Sequence, residues 1–197
     1  MVKLQGLPQI LLRAFSEERY ALDFVSGGKL RFGELGRYRK IEDGSRRDSS
    51  EGYGHYVDAQ SQQWHMELGG AIYIFCCSSP DVDPAYLREK MGRHIVRIRD
   101  PSALALDIER QLQKRGIRTF NGVHGRPVAY TKGTTIHRTM DASQRAVLSI
   151  TQKPTEYCPE CEYRFFTILN QHPRGSVEEF LHVNLGVPLP YAEIIRK

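Results

Sequence analysis

The sequence predicts a single α+β domain, and three observations predict it. Its 197 residues suit one domain with a substantial core. Apolar runs at strand spacing, the clearest being residues 71–77 (AIYIFCC), alternate with stretches at helical spacing such as residues 101–114. A composition of 40% hydrophobic and 26% charged residues lies in the globular range, which excludes wholesale disorder and fibrous repetition. With no internal repeat and no linker, residues 1–197 read as one unit carrying a long polar loop at 42–68.

Residues 9–15 read as a strand. Ser16 is placed to cap a helix through residue 25, with Glu17 and Glu18 at its positive end and Ala21, Phe24 and Val25 on its buried face. Gly27-Gly28 stops that helix. Residues 29–33 form a short strand, followed by a helical turn carrying Leu35, Tyr38 and Ile41. Residues 42–68 are polar and lack apolar periodicity, the mark of a functional or disordered loop. The run 71–77, apolar on both faces, belongs at the centre of a sheet. A loop and short helix fill 81–92, an alternating strand spans 94–99, and Pro101 opens a helix to Lys114. Residues 116–138 suggest one or two strands around turns at Gly122, Gly125 and Gly133, and 146–152 and 160–169 two more. A short strand or helix near Phe180 precedes a Pro-rich exit.

A net charge of +5 and a pI near 9.1 favour anionic partners. The apolar N-terminal run is interrupted by Pro8 and Gln9 and ended by Arg13, too short for a signal or a membrane span. Cysteines stand as Cys76-Cys77 and Cys158-x-x-Cys161, a spacing that suits reduced thiols in the cytoplasm better than a disulfide framework.

The richest segment for chemistry is 157–166, YCPECEYRFF. On a strand, Glu160, Glu162 and Arg164 share one face while Cys161, Tyr163 and Phe165 take the core side. Two carboxylates so placed offer one group to stabilise developing positive charge and another to accept a proton. A solvated strand edge with Arg164 paired to Glu162 fits the same spacing. Arg13, inside the apolar strand ILLRAF, either snorkels outward or reaches a carboxylate or phosphate. The run 34–52 interleaves Arg37, Arg39, Lys40, Arg46 and Arg47 with Glu42, Asp43, Asp48 and Glu51 around Tyr38. Its arginines suit phosphates or a nucleic-acid backbone, yet a self-paired loop accounts for it equally. Cys158-x-x-Cys161 is half a zinc site that needs a second half, and Cys76-Cys77, pointing to opposite strand faces, could not both ligate one ion without a bend. Signatures of metallohydrolases, phosphate-loop enzymes, dinucleotide-binding folds and α/β-hydrolases are missing.

In order, L-x-R-x-F, K-L-R-F, Y-R-K-I-E-D-G-S-R-R-D-S-S-E-G, I-F-C-C-S-S, G-R-H-I-V-R-I and K-P-T-E-Y-C-P-E-C-E-Y-R-F resemble a broad group of bacterial domains. That group accompanies phage-defence genes and is similar to ADP-ribosyltransferases of the E-x-E type; the resemblance covers residues 10–170. It implies a mixed, split β-sheet core of ADP-ribosyltransferase type with flanking helices, and NAD as substrate. By the resemblance, Glu162 stabilises the oxocarbenium-like transition state and Glu160 activates the acceptor. Arg13, Tyr38, Arg39 and Ser78 hold NAD, with Arg46 and Arg47 on the acceptor. The middle motif is Cys77-Ser78-Ser79 where those enzymes carry Ser-Thr-Ser.

The expected function is transfer of ADP-ribose from NAD to a macromolecule, nucleic acid and RNA especially, by a toxin or phage-defence effector that an antitoxin or chaperone could accompany. A different class is a non-enzymatic nucleic-acid-binding or assembly module using 34–52. A third is a metal-dependent nuclease using Asp43, Asp48, Glu160 and Glu162.

Overall fold

The structure, a computed structural model, describes residues 2–40, 53–57, 63–67, 71–131, 134–135, 141–170 and 178–195. The chain runs through β1 (Lys3–Leu4), β2 (Leu11–Phe15), α1 (Glu18–Gly27) and β3 (Lys29–Glu34) to a 3-10 turn at Leu35–Lys40. Strands β4 (Tyr53–Val57), β5 (Gln63–Glu67) and β6 (Ile72–Ser78) follow, then α2 (Pro84–Lys90), β7 (His94–Ile98) and α3 (Pro101–Lys114). Next come β8 (Thr119–Pro127), β9 (Ala129–Tyr130), β10 (Thr134–Thr135), α4 (Ala142–Ile150) and β11 (Gln152–Lys153). A second 3-10 turn at Thr155–Glu160 leads into β12 (Glu162–Leu169), and β13 (Phe180–Asn184) and β14 (Ala192–Ile194) complete the chain.

Among the described residues, nine strands form one mixed sheet whose main path is β1-β8-β12-β6-β2-β7-β14. Only β1 and β8 run parallel within it; the other pairs are antiparallel. One edge of β6 is shared by two strands. Near its end Ser78 pairs with Leu12 of β2, whereas Ile74 and Tyr73 pair with Gly33 and Glu34 of β3. The sheet therefore forks at β6, with β2-β7-β14 leaving one way and β3-β13 the other. The protein is thus a mixed α+β domain built on a mixed sheet.

Both faces of β6 are covered, as its unbroken apolar run requires. Phe24 of α1 stacks on Phe75 with centroids 6.0 Å apart, while Leu104, Ile108 and Leu112 of α3 join the same cluster. On the opposite face, Ile150 of α4 packs with Ile74, Phe166 and Leu35. α3 occupies the expected residues because Asp100 accepts a hydrogen bond from Ala103 N at 2.9 Å and Pro101 takes the first turn. α1 ends as expected at Gly28, left-handed at φ 59°.

Four expectations are corrected. Glu17, not Ser16, occupies the N-cap of α1, in extended conformation and without a side-chain cap bond. Residues 146–150 are helical rather than a strand: Asp141 and Gln144 form a reciprocal capping box that starts α4, and Val147 and Ile150 then fall on one buried face. The stretch 42–68 is not structureless, since β4 and β5 pair as a hairpin with Tyr56 opposite Trp64. Their Tyr, Trp and Val content suits strands despite the polar residues between. Gly122 and Gly125 lie inside β8 rather than in turns. Asn121 and Gly122 have φ of 61° and 84° near a register shift against β12, so Gly122 serves an irregular strand. A Cβ on Gly125 would come within 2.7 Å of Leu4 Cδ2, so that glycine permits close packing of β1.

Candidate functional site

A cavity of about 240 Å³ opens at the fork. Leu12, Arg13 and Ala14 of β2, Arg31 and Gly33 of β3, and Cys76, Cys77 and Ser78 of β6 contribute to its walls. The register explains why residues far apart in sequence meet here. Leu12 pairs with Ser78, and Ser78 pairs on its other side with Glu162, so β2, β6 and β12 share one rung at the cavity. Arg13, Ser78 and Glu162 all line it, together with Tyr38 and Glu160.

Arg13 is half-buried and reaches no carboxylate among the described residues. Its guanidinium donates to the Cys76 carbonyl and lies 4.8 Å over the Phe75 ring. Its Nε is buried without a hydrogen-bond partner among the described residues. A buried donor without a partner is costly.

The carboxylates are not on a solvated edge. β12 lies between β6 and β8, leaving Arg164 0% and Glu162 6% exposed. Arg164 clasps Glu162 with Nε 2.9 Å from Oε1 and Nη2 3.2 Å from Oε2, and also donates to the Ile150 carbonyl. The pairing that spacing allowed is therefore real, but it is buried. Glu160 reaches the site differently from the expected strand alternation. It ends the 3-10 turn, and Cys161, left-handed at φ 43°, redirects the chain before β12 begins.

Lys153 holds the pair together. Its Nζ stands 2.7 Å from Glu160 Oε2 and 3.0 Å from Glu162 Oε2, with the Tyr157 ring 5.0 Å below. Burial alone would raise the Glu162 carboxyl; the Arg164 and Lys153 charges outweigh it and hold Glu162 well below the usual carboxylate range. Glu160 moves the opposite way, raised by burial and by the Glu162 charge against the pull of Lys153. Two neighbouring carboxyls with diverging proton affinities suit different tasks, one a fixed anion and the other a proton carrier. The Cys76 thiol hydrogen-bonds Glu162, and burial pushes its pKa well up, so it is no nucleophile at neutral pH.

Tyr38 forms another part of the wall, and Gly33 makes room for it: a Cβ there would stand 2.6 Å from the Tyr38 hydroxyl. Arg39 belongs to the first 3-10 turn, its side chain outside the described residues. Arg46, Arg47, Asp43 and Asp48 also lie outside the described residues. Among the described residues no group of three or more His, Cys, Asp or Glu could hold a metal ion, and no helix is long and apolar enough to cross a membrane. Lys153, Tyr157, Arg31 and Phe180 also line the cavity, and the sequence assigned a role to none of them. Lys153 had a faint signal, a lone cation between apolar and turn residues seven positions before Glu160.

The fold and site define a mixed α+β protein with a cavity of mixed polar and apolar lining at a sheet fork, one wall carrying buried, ion-paired carboxylates. The chain matches no protein-family model, no curated protein and no solved structure.

Proposed function

We propose that the protein transfers ADP-ribose from NAD to a macromolecular acceptor, RNA in preference to protein, as a toxin or defence effector. The observation that carries this reading is the convergence of Arg13, Ser78, Glu160 and Glu162 on one cavity. In the reaction, the bond between nicotinamide and ribose C1 breaks, nicotinamide keeps the electron pair, and an acceptor oxygen or nitrogen attacks C1. Glu162, held ionised, stabilises the positive charge that develops on the ribose. Glu160, with its raised proton affinity, takes the proton the acceptor releases. Arg13, on the cavity wall, contributes positive charge toward the bound nucleotide.

The cavity of about 240 Å³ is smaller than the roughly 300–1,000 Å³ usual for drug-sized ligands. It therefore suits the reacting ribose end of NAD, with the remainder outside. The net charge of +5 supports an anionic acceptor. Incubation with NAD labelled in the adenylate part, and with RNA or protein as acceptor, tests the assignment. Label in RNA supports the full reading. Label in protein alone overturns the RNA acceptor, and absence of label from both counts against transfer.

A further inference from the structure

Among the described residues, four cationic side chains line the cavity, Arg13, Arg31, Arg37 and Lys153, against two carboxylates, Glu160 and Glu162. The carboxylates are already satisfied by Lys153 and by Arg164 behind them. Positive charge is consequently left over on the wall formed by Arg31 and Arg37.

That wall is built. Arg31 lies on the exposed face of β3 while Leu30 and Phe32 point into the core. On the neighbouring β13, His182 pairs with Arg31 and Phe180 with Gly33, which sets Phe180 diagonally across from Arg31 on the same face. The Arg31 guanidinium stands 4.3 Å from the Phe180 ring centroid. The 3-10 turn then brings Arg37 back over the same ring, at 4.5 Å. The turn is fixed in part by Glu34, whose carboxylate accepts from Gly36 N at 2.8 Å. Arg31 has no carboxylate partner among the described residues. Among the described residues Arg37 has as carboxylate partner only Glu179, at 3.4 Å and 72% exposed, and so weak a surface pair yields readily to a stronger anion. Two guanidiniums seated on one aromatic ring present planar forks suited to phosphate oxygens.

We propose that Arg31 and Arg37, seated on Phe180, form an anion seat for the phosphate of a sugar-phosphate ligand whose sugar lies toward Glu162. The seat rests on the same cavity as the transferase reading and needs no bond-breaking step.

Calorimetric titration of the full chain with ribose 5-phosphate, ribose and inorganic phosphate tests it. Ribose 5-phosphate binds at least ten-fold tighter than either ribose or phosphate, and added salt weakens it. The Arg31→Gln/Arg37→Gln variant loses ten-fold or more of that affinity, and the Arg31→Lys/Arg37→Lys variant loses less. Equal binding of ribose and ribose 5-phosphate, phosphate binding as tight as ribose 5-phosphate, or no change in the Gln variant each overturns the seat. Failure of the transferase reading looks different. A protein that binds ribose 5-phosphate through these arginines yet releases no nicotinamide keeps the seat and loses the reaction, whereas NAD turnover with an unchanged KM in the Gln variant does the reverse.

Discussion

Lys153 and Glu160, seven residues apart in the chain, meet at 2.7 Å with both side chains nearly closed to solvent, 10% and 8% exposed. The same ammonium lies 3.0 Å from Glu162. One buried cation thus lets two candidate catalytic carboxylates stand side by side. Lys153→Met removes that cation and leaves like charges facing each other. We expect a loss on the order of 3 kcal/mol in urea unfolding at pH 7. The loss shrinks in mildly acidic solution as Glu160 takes a proton.

The two carboxyls make opposite contributions to the pH dependence of stability. Glu162, lowered in the folded state, stabilises above the ordinary carboxylate pKa and loses that contribution as pH falls toward its folded value. Glu160, raised in the folded state, stabilises below its unfolded pKa and loses that contribution as pH rises through its folded value. Glu162→Gln should therefore cost most at neutral pH, about 3 kcal/mol for leaving Arg164 without its carboxylate, and progressively less in acid. Glu160→Gln should cost less at neutral pH. Unfolding curves from pH 3 to pH 8, within the range where the ordinary carboxylate pKa of about 4 falls, check both slopes.

Gly33→Ala forces the Tyr38 ring away, because the new Cβ would stand 2.6 Å from its hydroxyl. Overpacking of this kind costs about 1–3 kcal/mol. In a double-mutant cycle with Tyr38→Ala the two losses should be strongly non-additive, since removing the ring removes the clash. Additive losses would place the strain elsewhere.

The four thiols differ in exposure. Cys158 is exposed, whereas Cys77 is buried and its pKa is pushed up to about 12. Brief alkylation of the native protein at neutral pH should mark Cys158 and spare Cys76 and Cys77 until the protein is unfolded. Peptide mass mapping reads the order directly.

Several elements were legible because local chemistry decides them. Asp100-Pro101 starts α3, Gly28 ends α1, and the apolar run of β6 could only be central. α4 was legible in principle through Asp141 and Gln144, but its Val147-Leu148-Ser149-Ile150 end has strand character, and the cap outweighs it. The rung joining Leu12, Ser78 and Glu162 brings together residues from the L-x-R-x-F, I-F-C-C-S-S and Y-C-P-E-C-E-Y-R-F segments. The fork itself was not legible from residue spacing, because register between distant strands is a tertiary property. Lys153 and Phe180 escaped for the same reason: no spacing rule links β11 or β13 to β12 and β3. Arg164 showed its partner in sequence but not its burial, a tertiary matter that includes its bond to the Ile150 carbonyl at the end of α4.

The most direct test of the central claim is nicotinamide release from NAD by the wild-type protein beside Glu162→Gln, with circular dichroism confirming that both are folded. Release by wild type, reduced by about a hundred-fold or more in the variant as expected for losing the charge that faces the developing cation, is the predicted result. Equal rates in the two folded proteins, or no release from either, would contradict it.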